Sequence, residues 1–274
     1  MFSYTEGATM TPSDAHSPET DETELAGIRV IPLHGAPEAQ PGDDIAAMAL
    51  AALARSNLRL QDGDILVVTQ KLVSKAEGLL VDLTTIEPSD IALRYAQQWG
   101  RDPRQVEVVL RESVRIVRMD RGLIISQTRH GFVCANAGVD ASNVPGGNTV
   151  CLLPRDPDGS AERLRAALAR QSGAELAIII SDSFGRPWRQ GIVNVALGVA
   201  GMAPLADYRG QPDDFGRIMN SSVMAVADEI ASAAELATGK VERTPFVLVR
   251  GYPYQRAAGS GAQILMDPAA DLFR

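Results

Sequence analysis

The sequence predicts an α/β protein of mixed α+β character, and three observations predict it. Short runs dense in β-branched and aliphatic residues, Ile65-Leu-Val-Val-Thr69 and Ala174-Glu-Leu-Ala-Ile-Ile-Ile-Ser-Asp-Ser183, read as buried strands. Apolar residues at helical spacing, such as Ile45, Met48, Ala49, Ala52 and Leu53, mark amphipathic helices. The two kinds of segment are interleaved along the chain, with no internal repeat and no long linker between residues 25 and 274.

Taken in order, Gly27 to Leu33 is a short strand that feeds a Pro- and Gly-rich loop from His34 to Gly42. Asp43 is placed to cap the helix that carries Ile45 to Leu53. Asp62-Gly63-Asp64 then turns the chain into the strand Ile65–Thr69. Just past that strand come Gln70, Lys71, Ser74 and Lys75. Open α/β sheets hold ligands off the C-terminal ends of their strands, so Lys71 or Lys75 is suited to meet phosphate there. The alternative is a solvated, helix-like turn. Ser89 to Gly100 reads as a helix with Ala92, Tyr95, Ala96 and Trp99 on one side and Gly100 as its stop. Gln105 to Arg111 continues as a second helix, and Val114–Arg118 with Leu123–Gln127 reads as a hairpin.

The stretch Gly131 to Gly147 begins extended and apolar and ends in a loop of small residues. Its polar groups, Asp140, Ser142 and Asn143, fall where the strand is expected to run out, and Pro145, Gly146 and Gly147 forbid a helix after them. A ligand or metal site is one reading; Asp and Asn bonding their own backbone in a turn is the other. His130, just ahead, is a secondary candidate.

Beyond it, Ser160 is placed to cap a helix from Ala161 to Gln171 that stops at Gly173. The strand Ala174–Ser183 is apolar on both faces, as a central strand must be, and ends in Ser181-Asp182-Ser183. Arg186 and Arg189 bracket a Pro187-Trp188 corner, from which they can fork onto carboxylate or phosphate or pair with acids to hold the corner. After the apolar run Ile192–Leu205, Asp207 to Ser222 is polar and turn-rich. Val223, Val226, Ala227, Ile230, Ala234 and Ala237 form the stripe of a long helix stopping at Gly239. Pro245 to Gly251 is a last strand, and Gly259-Ser260-Gly261 is a weak glycine cluster.

Composition narrows the function. The hydrophobic fraction of 45% and charged fraction of 22% are those of a globular protein with a real core. The net charge is −8, but residues 1–24 hold six acids and no Lys or Arg, so setting that tail aside leaves −2. A nearly neutral body offers no basic field for nucleic acid. The acidic tail reads as disordered and lacks the pattern of a secretory signal. No apolar run is long enough to span a bilayer. Cys134 and Cys151 have no CxxC spacing, which fits a reduced, cytoplasmic protein. GxxxxGK[ST], GxGxxG and HExxH are absent.

Asp140 and Asp182 thus each close an apolar strand with a hydroxyl within two positions. Hard divalent cations seek carboxylate oxygens, and Lys75 adds a cationic partner, so the set points to phosphoryl or nucleotidyl chemistry. The segments Gly63–Gly78, His130–Asn143 and Ser181–Gly201, with Ala227–Leu236 and Val249–Gly251, resemble the coenzyme F420-0:gamma-glutamyl ligases. The match runs in one order over nearly all of residues 27–252, and its motifs HGFVCANAGVD-x-SN and SDSFGRPWRxG are long.

The resemblance implies an unusual gamma-glutamyl-ligase fold with mixed sheets in residues 25–274, two intimate subdomains being an option, assembled as an intertwined homodimer. It implies a ligase whose small-molecule substrates are coenzyme F420-0, L-glutamate and GTP, with Mn2+ or Mg2+ as two ions and K+ as a further candidate. By motif position Asp140, Asp182 and Ser183 are the metal ligands, and Lys75 joins the two aspartates in catalysis. Asn143, Lys75, Gln70 and the segments Ala36-Pro37-Glu38-Ala39 and Gly239-Lys240 are the nucleotide contacts. Gln70 stands where relatives often carry Ser, and Gln127 where Glu is usual. Arg186 and Arg189 are candidates for substrate carboxylate or phosphodiester. The same ligase chemistry on another carboxylate, and a nucleotide sensor without turnover, are the alternatives.

Overall fold

The computed structural model describes residues 27–144, 146–239 and 242–271; the acidic tail over residues 1–24, Pro145 and Lys240 lie outside the described residues. The chain runs β1 (Arg29–Leu33), α1 (Ile45–Arg55), β2 (Ile65–Thr69), α2 (Gln70–Ala76), β3 (Leu80–Asp82), α3 (Asp90–Trp99) and α4 (Pro103–Glu112). It continues through β4 (Ser113–Asp120), β5 (Leu123–Thr128), β6 (Val133–Ala135), β7 (Thr149–Cys151), α5 (Pro157–Ser172), β8 (Ala177–Arg186) and β9 (Arg189–Ala200). β10 (Ala206–Asp207), β11 (Val223–Met224), α6 (Val226–Thr238) and β12 (Phe246–Arg250) complete it.

The main sheet has the order β1-β12-β2-β8-β9 and is mixed: β2 and β8 are parallel, the other pairs antiparallel. Alternate residues of its central strands feed two cores. Leu66, Val68, Ile178, Ile180, Phe246 and Leu248 pack with α1 and α5, while Ile65, Val67, Ile179, Val247 and Val249 pack with α6. Burial on both faces is why these strands read as unbroken apolar runs rather than alternations. A further core gathers Ala92, Tyr95 and Ala96 of α3, Val106, Val108 and Val109 of α4, and Ile124, Val150 and Leu152 from the small sheets. It meets the main body where β6 lies against β8 and where Phe132, Leu153 and Leu197 cluster.

Several expectations shift. Asp44, not Asp43, caps α1: the Ala46 and Ala47 N–H groups donate to its Oδ1 at 2.9 and 3.1 Å, while Asp43 accepts from the Gln40 N–H. Asp156, not Ser160, caps α5, accepting from the Gly159 N–H at 2.9 Å. The Asp-Pro pair sets this start, because Pro157 fits the first helical position. Ser160 sits a turn inside and donates to the Asp156 carbonyl and to Glu77. Val223 pairs with Asp207 in the β10–β11 hairpin rather than joining α6.

Neither aspartate closes a strand. β8 and β9 continue as a two-stranded ribbon past the end of β2, and within it Asp182 pairs with Val195. Leaving the layered core is what lets a polar sequence stay in strand. β6 ends at Ala135, and a 3-10 turn over Asn136–Gly138 precedes Asp140. Gly138 has φ +72°, and a Cβ there would stand 2.5 Å from Leu153 Cγ, so this turn requires glycine. Asp140 then exchanges backbone hydrogen bonds with Cys151, at 2.8 and 3.1 Å. The Gly259–Gly261 cluster is structural: a Cβ at Gly261 would stand 2.2 Å from the Leu197 carbonyl oxygen.

Candidate active site

Strand direction builds the site. β1 and β2 each pair antiparallel with β12, and β8 runs parallel to β2, so β1, β2 and β8 all end at one edge of the sheet. The loop after β1 brings Ala36, Pro37, Glu38 and Ala39 there, β2 and α2 bring Thr69, Gln70, Lys71 and Lys75, and β8 brings Ser181, Asp182 and Ser183. Thr244 and Pro245, entering β12, and Glu235, Thr238 and Gly239, at the end of α6, close the other side. The resulting cleft has a volume of about 830 Å³, within the range that takes nucleotide-sized ligands.

Lys71 and Lys75 lie four residues apart on α2 and share a face. The Lys75 side chain is only 7% exposed. Its Nζ donates to the Asn143 carbonyl at 2.6 Å and pairs with Glu38. Burying an ammonium is costly unless it is paired, and here the partners come from two loops rather than from the core. Lys71 Nζ donates to Asp140 Oδ2 at 2.6 Å and to Ser142 Oγ at 2.8 Å. The Ser142 N–H and Oγ also bond the Asp140 carboxylate, at 2.7 and 2.8 Å, so the Asx turn and the charged contact coexist. Burial pushes the Asp140 carboxyl up, but the hydrogen bonds from Lys71 and Ser142 and the Lys71 charge hold it below the usual carboxylate range.

In the same cleft, Ser183 Oγ donates to Asn194 Oδ1 at 2.7 Å beside Asp182. Buried Gln70 accepts from Ser74 Oγ at 3.0 Å. Burial, with the Asp182 charge nearby, pushes the Cys134 thiol up to about 12, and burial pushes Cys151 up to about 11. Both thiols are unpaired and unsuited to nucleophilic work.

The structure therefore gathers Ala36, Pro37, Glu38, Ala39, Gln70, Lys75, Asn143, Asp182, Ser183 and Gly239 around one cleft, with Asp140 behind Lys71. Arg186 and Arg189 lie at the ribbon tip, outside the lining; Arg186 Nη2 donates to the Gln190 carbonyl at 3.0 Å. His130 stacks toward Phe132, and its Nε2 lies 3.2 Å from the Arg155 carbonyl. Lys71 lines the cleft and Ser142 stays beside Asp140, both already candidates in the sequence, whereas Asn194, Glu235 and Arg243 were not singled out. Asn194 and Glu235 leave a signal: each is polar beside the apolar pattern of its element.

The donors facing the cleft suit a hard cation. Asp182, Ser183, Asn194 and, once Lys71 moves aside, Asp140 all offer oxygen. The Lys71 ammonium already stands where a cation would meet Asp140. Among the described residues no group of three or more His, Cys, Asp or Glu is placed to hold a metal by itself. Mg2+ is commonly held by one or two carboxylates completed by water and substrate phosphate, and such a set fits that pattern.

The description F420-0:Gamma-glutamyl ligase belongs to a family model that matches residues 35–251. The chain is 47% identical over 251 residues to a coenzyme F420:L-glutamate ligase of Methanothermobacter thermautotrophicus, covering 90% of this chain and 99% of that one. It is 43% identical to the protein of the same name from Methanopyrus kandleri, covering 91% and 99%. It is 42% identical to that of Methanocaldococcus jannaschii, covering 78% and 86%. The chain that builds this cleft, with buried Lys75, Asp182 and Ser183 on β8 and Asp140 held by Lys71, thus belongs to the F420-0:gamma-glutamyl ligase family.

Proposed function

We propose that this chain is a GTP- and divalent-cation-dependent ligase that joins L-glutamate to the terminal carboxylate of coenzyme F420-0 and extends it through gamma-linkages. The name shared by its relatives supports the substrate pair. The observation that carries the site is that Lys71, Lys75, Asp182 and Ser183 line one cleft, with Asp140 bonded to Lys71.

The chemistry explains the residue types. A carboxylate is a poor acyl donor because its leaving group would be oxide. In the proposed route a carboxylate oxygen bonds to the γ-phosphorus of GTP as the bridge to the β-phosphate breaks, releasing GDP and leaving an acyl phosphate. The glutamate amine then bonds to the acyl carbon and loses a proton, and inorganic phosphate leaves. Lys75, buried and preset by Asn143 and Glu38, supplies a positive charge where phosphoryl charge develops. Asp140, Asp182 and Ser183 are the residues that would hold Mn2+ or Mg2+, which when bound neutralises phosphate oxygens. Lys71 keeps Asp140 ionised and oriented until then. Asn143 and the loop Ala36–Ala39 bound the nucleotide.

Mass spectrometry of F420-0 incubated with the protein, GTP, Mn2+ and L-glutamate tests the reading. A ladder of products spaced by glutamate residues, absent without GTP or without metal, is expected. No ladder, with the protein still stabilised against heat by GTP and Mn2+, would overturn the acceptor assignment. Neither ladder nor stabilisation would overturn the site.

A further inference from the structure

We propose that Asn194 is a positioning residue that aims the Ser183 hydroxyl as a cation ligand; the inference rests on the metal reading above. Ser183 on β8 and Asn194 on β9 are cross-strand partners, and a bulge makes them so. Ile180 pairs with Gly198, and continuing that register would set Ser183 opposite Val195. Between Ile180 and Ser181 the register shifts, Leu197 being the extra residue on β9, and Asn194 arrives opposite Ser183 instead. Bulges of this kind re-aim side chains beside active sites. Leu197 is 1% exposed and packs with Phe132 and Leu153, so the core fixes the bulge.

Asn194 is itself buried, and α6 holds its stretch of β9. The Asn194 carbonyl accepts from Ser232 Oγ at 2.8 Å, and two residues on the Ala196 N–H donates to Asp228 Oδ1 at 2.8 Å. On this fixed backbone the Asn194 Oδ1 accepts the Ser183 hydroxyl at 2.7 Å. A serine hydroxyl has one proton and two lone pairs. With the proton committed to Asn194, the oxygen meets a cation through its lone pairs. With the proton turned into the cleft, the hydroxyl would meet the cation with its positive end. Asn194 also lines the cleft, but its amide oxygen is turned to Ser183. A partner behind a metal ligand sets that ligand's orientation and basicity, which is the role this geometry gives Asn194.

The test is a double-mutant cycle on Mn2+ affinity. Mn2+ is titrated into the full chain with GTP, and the protein-bound ion is read from the relaxation of water protons, without turnover. Asn194→Leu, which keeps the volume and removes the acceptor, is expected to weaken Mn2+ binding about tenfold to a hundredfold. Ser183→Ala weakens it as well, and adding Asn194→Leu to Ser183→Ala costs nothing further, because the hydroxyl to be aimed is gone. Asn194→Asp, which can only accept, retains Mn2+ affinity at the wild-type level or better. A further tenfold loss on adding Asn194→Leu to Ser183→Ala would show that Asn194 acts independently of the hydroxyl. That result would overturn the positioning role and leave the metal reading standing. Unchanged affinity in Asn194→Leu, or a loss in folded Asn194→Asp, would do the same. No bound Mn2+ in the wild type would overturn both.

Discussion

At one end of the five-stranded sheet Asp64 is 1% exposed and takes both Nε and Nη2 of Arg250 at 2.7 Å, with the Gln61 N–H donating at 2.8 Å. At the other end Lys75 meets Glu38, and Lys71 meets Asp140, each ammonium making one contact to its acid. The charge types are alike, but the geometries differ. The arginine fork saturates a carboxylate that water cannot reach, so nothing is left to exchange. A lysine is a point donor on a flexible stem, and its acids sit on loops at a cleft, so a phosphate or a cation can take either partner's place. The first arrangement holds β2 and β12 in register; the second is poised for a ligand.

That contrast is open to direct attack. Asp64→Asn leaves the Arg250 guanidinium without its counter-charge and should cost about 3–5 kcal/mol in urea unfolding, with turnover per folded molecule unchanged. Asp182→Asn should do the reverse, lowering turnover about 10²- to 10³-fold with little change in urea midpoint. A Gly138→Ala side chain would clash with Leu153 at a left-handed position, costing about 1–3 kcal/mol and displacing Asp140. Impaired metal-dependent GTP binding in that variant would connect the turn to the site.

Smaller effects sharpen the picture. The folded Asp140 carboxyl titrates below its unfolded value, so its contribution to stability is present above about pH 4 and fades as pH falls through the depressed folded value. Urea midpoints of wild type and Asp140→Asn should therefore differ at neutral pH and converge in acid. Asp44→Ala should cost about 1 kcal/mol, while Asp43→Ala, which does not cap α1, should cost a few tenths of that or less.

The sequence makes the layered body legible because its signals are local. The runs Ile65–Thr69 and Phe246–Arg250 are buried on both faces, and Ser89 with Gly100 brackets α3 as expected. The helix starts were harder, since adjacent Asp43 and Asp44 compete for one cap and an Asp-Pro pair outranks Ser160. The site was legible as residue types, not as distances. Lys71 with Asp140 and Lys75 with Asn143 are 69 and 68 residues apart, and no local pattern encodes such pairings. Asp182 looked like a strand end because its apolar run stops at Ile180, whereas the ribbon with β9 carries the strand on to Arg186.

The most direct measurement follows oxygen. With F420-0 carrying 18O in its terminal carboxylate, GTP, Mn2+ and L-glutamate, the phosphate released in ligation is analysed by mass spectrometry. Phosphorylation of that carboxylate in this cleft predicts one 18O in the phosphate for each first amide formed. Unlabelled phosphate alongside amide product would contradict it.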